Sequence, residues 1–241
     1  MQQNTPIIII GATGGVGQAL SRRMVASGQG VHLIARDQGQ LEPLADELGA
    51  SWAVADVLDH EQLSVAVQAA GEAVSGLCYA VGDIQLKPLR ATTAQAMSDA
   101  FQLHTVSAMV AIQAAQKALK AGGGSVVLFS SLASQVGLAN HAIMASAKGA
   151  VEGLTVALAA ELAPHVRINA VAPSLTETKM AAPLLANEAM VKGLAKVHPL
   201  KRLGRAEDLA NAAAWLLGPD SGWVTGQVIG VDGGRSSIAG V

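Results

Sequence analysis

Ile7–Ile10 is an unbroken run of β-branched apolar residues. A strand with one wet face alternates apolar and polar positions, so a continuous run predicts a strand buried on both faces. Short apolar runs recur at Val31–Ala35, Ser51–Ala55, Gly76–Tyr79, Ser125–Phe129, Val166–Val171 and Gln227–Val231. Between most of them lie stretches of helical character, among them Val16–Ser27, Leu41–Leu48, Thr93–Lys120 and Ala206–Leu217. Such alternation predicts βαβ units, hence an α/β fold with a parallel sheet and helices on both faces. No Pro/Ser-rich linker or change of composition divides the chain, so residues 1–241 read as one domain.

Composition narrows the function classes. Hydrophobic residues make up 51% and charged residues 14%, which excludes a disordered chain and calls for a large core. Sixteen basic residues against 18 acidic ones give a net charge of −2, which removes the electrostatic reason to expect a nucleic-acid partner. The lone cysteine, Cys78, forms no internal disulfide, and the six histidines have no metal-ligand spacing. The apolar stretch 142–162 is interrupted by Lys148, Glu152 and Glu161, so no membrane span is expected. The first residues, Met1–Thr5, lack the basic segment of a signal peptide. The expectation is a cytoplasmic protein acting on a small molecule.

Chemistry begins at Gly11-Ala12-Thr13-Gly14-Gly15-Val16-Gly17, between the first strand and the first helix. Glycines there permit a tight turn and let backbone N–H groups approach a pyrophosphate at the helix N-terminus. The second strand ends at Ala35-Arg36. An acidic residue at that point would favour NAD, whereas an arginine pairs with a 2′-phosphate, so NADP(H) is expected over NAD(H). Asp37 is the alternative ribose ligand. Asp56-Val57 closes the third strand, where Asp56 either meets an adenine amino group or caps the next turn.

Several segments together resemble the short-chain dehydrogenase/reductase family. The glycine loop supplies Gly11, Gly15 and Gly17, and Asp56-Val57 matches the family's Asp-Val pair. Cys78-Tyr79-Ala80-Val81-Gly82 falls at the Asn-Asn-Ala-Gly segment with both asparagines replaced. Ser130-Ser131 matches the Ser-Ser pair whose second member is catalytic, and Lys148 matches the active-site lysine. Arg167–Pro173 resembles the sixth strand and nicotinamide loop, with Ser174 where Gly is usual. Gly204-Arg205, Thr225-Gly226-Gln227 and Val231-Asp232-Gly233-Gly234 resemble the C-terminal signature. The resemblance implies a single-domain Rossmann-type, doubly wound sheet of about seven strands, a nicotinamide cofactor and a homo-oligomer, tetramer or dimer. It places Gly11, Thr13, Gly15, Val16, Gly17, Arg36, Asp56, Val57, Ala80, Gly82, Lys148, Pro173 and Thr178 at the cofactor. The segment 174–197 falls at the substrate lid, and Leu184, Leu185 and Met190 suggest an apolar substrate.

One departure bears on mechanism. The family's chemistry uses Tyr-x-x-x-Lys with a serine thirteen residues before the tyrosine. Ser131 and Lys148 frame that pattern here, but position 144 is Met, which has no ionisable proton. The family's active-site asparagine falls on His104. Three chemistries stay open. The first reduces an activated carbon–carbon double bond, since His141, Met144 and Lys148 fall where enoyl-thioester reductases carry Tyr-x-x-Met-x-x-x-Lys. The second is carbonyl reduction or alcohol oxidation with a substitute acid: His104, His141, Ser131 or a water held by Lys148. The third is cofactor binding with little catalysis. Tyr79, the only phenol, falls at a strand end.

Overall fold

The computed structural model describes residues 5–238. In chain order the elements are β1 (Ile7–Ile10), α1 (Gly15–Ala26), β2 (Val31–Ala35), α2 (Gln38–Leu48), β3 (Ser51–Val54), α3 (His60–Gln68) and β4 (Gly76–Tyr79). Next come α4 (Ala94–Phe101), α5 (Ser107–Gly122), β5 (Ser125–Phe129), α6 (Ala142–Leu162) and β6 (Arg167–Pro173). The last are β7 (Thr176–Glu177), α7 (Glu188–Lys196), β8 (Gly204–Arg205), α8 (Ala206–Leu217) and β9 (Val228–Val231). Seven strands form one parallel sheet in the order β3-β2-β1-β4-β5-β6-β9. This is a Rossmann-type, doubly wound sheet.

The all-isoleucine β1 shows why the central strands are mostly apolar. Ile8 and Ile10 pack with Leu63 of α3, Ile112 of α5 and Val151 of α6. Ile7 and Ile9 point the other way, to Leu20 of α1, Leu41 of α2 and Leu216 of α8. Successive side chains alternate between two cores, so neither face of β1 meets solvent. The strand order reverses between β1 and β4, and a crevice opens there beyond the carboxyl ends of the strands, where such sheets bind ligands.

Three features depart from the expectation. The single helix expected over Thr93–Lys120 is two helices, α4 and α5, separated by a π-helical turn at Gln102–Val106. Segment 174–205 contains a two-stranded parallel ladder, Thr176 opposite Gly204 and Glu177 opposite Arg205. Helix α6 is, among the described residues, the one long and apolar enough to cross a membrane by length and composition. Its inner side, with Ile143, Met144, Val151 and Leu162, is buried in the protein, which explains its apolarity. The distal end of the tail 235–241 lies outside the described residues.

Candidate active site at the strand crossover

The glycine loop is a cradle that a side chain would fill. Gly11 has φ +84°, in the left-handed region, and a Cβ there would lie 2.8 Å from the Ala80 carbonyl oxygen. A Cβ on Gly17 would collide with the Gly11 carbonyl and sit 2.9 Å from Ala12 Cα. Close approach of α1 to β1 therefore requires glycine at 17. Helix α1 begins at Gly15 with Gly14 before it, no capping side chain and no acidic residue in its first turn. Its N–H groups and the positive end of its dipole are thus available to an anion. The Thr13 carbonyl accepts from Gln18 Nε2 at 2.9 Å. These residues fit a pyrophosphate.

A cleft of about 600 Å³ opens in front of this cradle. It gathers Gly15, Val16, Ala80, Gly82, His104, Ser131, His141, Lys148, Pro173 and Thr178. Gly11, Thr13 and Gly17 form the turn behind it. Arg36, Asp56 and Val57 stand apart from its wall, at the ends of β2 and β3. Arg36 is exposed and has no hydrogen-bond or ion-pair partner among the described residues. Asp37 caps α2, accepting from Gln40 N at 3.3 Å and from Gln40 Nε2 at 2.5 Å. That engagement counts against Asp37 as the ribose ligand. Asp56 accepts from Leu58 N at 3.0 Å, the capping role, and Val57 is buried in the core.

Ser131 and Lys148 are held as one unit. Lys148 is buried, and its Nζ donates to the Phe129 carbonyl at the end of β5, 2.8 Å away. Burial pushes its pKa down from 10.5 to about 8, with the Asp83 charge opposing the drop. Ser131 follows β5 and accepts from Ala133 N at 3.2 Å. Glu152 of α6 accepts from Ser130 Oγ at 2.7 Å, Ser134 Oγ at 2.6 Å and Gln135 Nε2 at 3.0 Å. That carboxylate ties the turn carrying Ser131 to the helix carrying Lys148.

Met144 is buried and lines the cleft on the same helix. No phenol replaces it. The Tyr79 hydroxyl donates to the Leu103 carbonyl at 2.7 Å, and burial pushes its pKa up. Tyr79 thus anchors the π-helical turn. His141 heads α6 with Nδ1 donating to the Ala139 carbonyl at 2.7 Å, so a neutral ring leaves Nε2 as an acceptor. His104, on the π-helical turn, is buried, and its Nε2 lies 2.9 Å from Asp83 Oδ1. Burial lowers the His104 pKa and Lys148 lowers it further, while Asp83 acts in the opposite sense. The hydrogen bond from His104 holds Asp83 below the usual carboxylate range.

Sequence reasoning missed Asp83, which also lines the cleft, because its partner is 21 residues away. It also missed His198, which is buried and ties the lid to the nicotinamide loop. His198 Nδ1 donates to the Leu194 carbonyl at 2.8 Å, which leaves Nε2 to accept from Ser174 Oγ, also at 2.8 Å. From the lid, Leu184, Met190 and Leu194 face the cleft, and Leu185 does not.

Comparison with known proteins agrees with this geometry. A family model described as enoyl-(acyl carrier protein) reductase matches residues 11–236. A chloroplastic tropinone reductase homologue of Arabidopsis thaliana is 33% identical over 240 residues, covering 95% of this chain and 74% of that protein. L-xylulose reductase of Bos taurus is 31% identical over 231 residues, 94% of each chain. A gluconate 5-dehydrogenase of Burkholderia cenocepacia, solved with NADP and tartrate, superposes with a TM-score of 0.91 at 27% identity, covering 98% of this chain and 96% of that one. Gly-rich cradle, crossover cleft, serine–lysine unit and relatives coincide: the chain belongs to the short-chain dehydrogenase/reductase family of NAD(P)-dependent oxidoreductases.

Proposed function

We propose that this protein is an NADP(H)-dependent oxidoreductase that interconverts a small, apolar carbonyl compound and its alcohol, with an atypical proton donor. The observation that carries this is the convergence of Ser131, Lys148 and the uncapped start of α1 on one largely apolar cleft. The nicotinamide, when bound, supplies or accepts the hydride. Gly15 and Val16 hold the pyrophosphate, with Gly11, Thr13 and Gly17 shaping the loop. Asp56 and Val57 border the adenine. Ala80, Gly82, Pro173 and Thr178 flank the nicotinamide half, and Lys148 holds its ribose. Ser131 orients the substrate oxygen. The side chains of Leu184, Met190 and Leu194 favour an apolar substrate body.

The free guanidinium of Arg36, the buried Ala35 beside it and the prior engagement of Asp37 support NADP(H) over NAD(H). The NADP bound to the gluconate dehydrogenase is in keeping with this. Arg36→Ala is expected to weaken NADPH binding about tenfold, the worth of one exposed charge-assisted contact, and to leave NADH binding unchanged. Calorimetric titration with both dinucleotides checks it. Equal losses for the two would remove Arg36 from the 2′-phosphate.

A second chemistry has specific support. His141, Met144 and Lys148 border the same cleft, and the matching family model is described as an enoyl-(acyl carrier protein) reductase. The deciding experiment follows NADPH oxidation with a set of ketones and a set of enoyl thioesters, with Lys148→Ala as control. We expect lysine-dependent turnover of ketones. Turnover of thioesters alone selects the second chemistry. Silence with both sets, with NADPH binding intact, would favour a non-catalytic cofactor binder. We also infer a homo-oligomer, tetramer or dimer, in keeping with exposed Trp223, Leu200 and Ile238. Light scattering after gel filtration tests it.

A further inference from the structure

The cleft contains a buried imidazole with one nitrogen committed and the other idle. His104 Nε2 is 2.9 Å from Asp83 Oδ1. His104 Nδ1 is buried and has no hydrogen-bond partner. An unpartnered buried ring nitrogen costs free energy that a plain core residue would avoid, so it marks a place where function uses the group. Both Nδ1 and Lys148 Nζ border Gly82: a Cβ built there would lie 3.2 Å from the first and 3.9 Å from the second. Asp83, on the other side of the ring, is partly exposed, with 38% of its side chain accessible. One ring nitrogen therefore lies on the Gly82 and Lys148 side of the ring, buried at the cleft wall, and the other faces a carboxylate in contact with solvent.

The π-helical turn explains how a helix delivers this group. It inserts an extra residue into the α4–α5 path at Gln102–Val106, as such turns do at functional sites. Tyr79 secures it through the Leu103 carbonyl, and Thr105 Oγ1 donates to the Ala147 carbonyl of α6 at 3.1 Å. The ring is thereby clamped between β4 and the helix that carries Lys148.

We propose that His104 is the proton donor and acceptor of this cleft, with Nδ1 exchanging a proton with the reacting oxygen across water and Asp83 positioning the ring through Nε2 and stabilising its charged form. The proposal rests on the oxidoreductase function above and supplies its missing acid. In reduction, the Nδ1–H bond breaks as the O–H bond of the alcohol forms, and the imidazolium becomes a neutral ring that keeps Nε2–H on Asp83. Solvent entering the cleft then restores the Nδ1 proton, while Asp83 holds the Nε2–H throughout. In oxidation the steps reverse: bare Nδ1 takes the hydroxyl proton. Asp83 stabilises the charged ring, while burial and Lys148 favour the neutral one, so both states are within reach. These two, from the loop after β4 and from α6, are the charged groups that act on the ring.

The test combines a readout without cofactor and a kinetic one. In the cofactor-free protein, the His104 ring, assigned by NMR, is expected to titrate below the ordinary histidine range. Asp83→Asn is expected to lower that titration further. A ring that keeps one protonation state across pH 4–9, or that ignores Asp83→Asn, overturns this role of His104 whatever the substrate. With a turned-over substrate, His104→Gln is expected to lower kcat about 100-fold or more, with KM and NADPH binding little changed. In ketone reduction, Asp83→Asn should shift the limb on which activity falls as pH rises by the same amount as the ring titration, and Asp83→Glu should restore both. Unchanged kcat in His104→Gln, or a limb that stays fixed while the ring shifts, overturns the assignment. Failure of the underlying function looks different: a wild-type protein that binds neither dinucleotide, which removes both.

Discussion

Lys148→Ala is expected to lower kcat/KM by about 1,000-fold and NADPH affinity about tenfold, with the fold intact. Two losses combine. The ammonium is the one cation whose amine is buried within the cleft, next to the turn bearing Ser131. Removing it deletes a charge that stabilises negative charge developing on the reacting oxygen, typically worth 10²–10³-fold or more in a water-poor site. It also deletes the donor proposed for the cofactor ribose, which is expected to weaken binding by the margin of one charge-assisted hydrogen bond. Alanine is a good helix former, and the site lies within the 21-residue α6, so unfolding is not the expected route to inactivity. Steady-state kinetics with the ketone set, paired with circular dichroism and dinucleotide titration, makes the check. Activity within a few-fold of wild type would place the chemistry outside this cleft.

The split between what the sequence disclosed and what it hid follows from the range of the interactions. The sheet was legible because its central strands are buried on both faces, so Ile7–Ile10 or Ser125–Phe129 declares itself without neighbours. The cradle was legible because its glycines answer to backbone demands of the turn: the left-handed φ of Gly11 and the close approach of Gly17 to Gly11 and Ala12. Met144, Ser131 and Lys148 were legible through their match to the spacing of the family's serine and Tyr-x-x-x-Lys pattern. The π-helical turn was not, because one added residue leaves a run of apolar and small residues looking like a single helix. The β7–β8 pair was not, because two-residue strands carry no period. Asp83 and His198 were hidden for a third reason. Each acquires its role from a contact 21 or 24 residues away, Asp83 to His104 and His198 to Ser174. Local pattern cannot distinguish them from solvated polar residues.

The same buried lysine that serves the reaction should weaken the fold, and pH reveals by how much. Lys148→Met is expected to raise the free energy of unfolding at pH 7 by about 2 kcal/mol while abolishing turnover. Burial lowers the Lys148 pKa from 10.5 to about 8. At about 1.4 kcal/mol per pH unit, the ammonium is disfavoured in the folded state by about 3 kcal/mol relative to the unfolded chain. Loss of the hydrogen bond to the Phe129 carbonyl returns about 1 kcal/mol of that to the wild type. The sign is fixed by which state releases its proton first. Below about pH 8 both states carry the charge, and only the folded one bears the burial. As pH rises past 8 the folded protein sheds the proton, and by about 10.5 the unfolded chain has shed it too, so the penalty vanishes. The gap between variant and wild type should therefore be widest at and below pH 7 and close through pH 8–10. Burial also raises the pKa of Cys78 to about 12 and raises that of Tyr79, which erodes stability at alkaline pH. Both proteins share those groups, so they cancel in the difference. Urea unfolding of the two proteins at pH 7, 8, 9 and 10 measures it. A gap that does not change with pH would mean that the Lys148 amine is as well solvated in the folded protein as in the open chain.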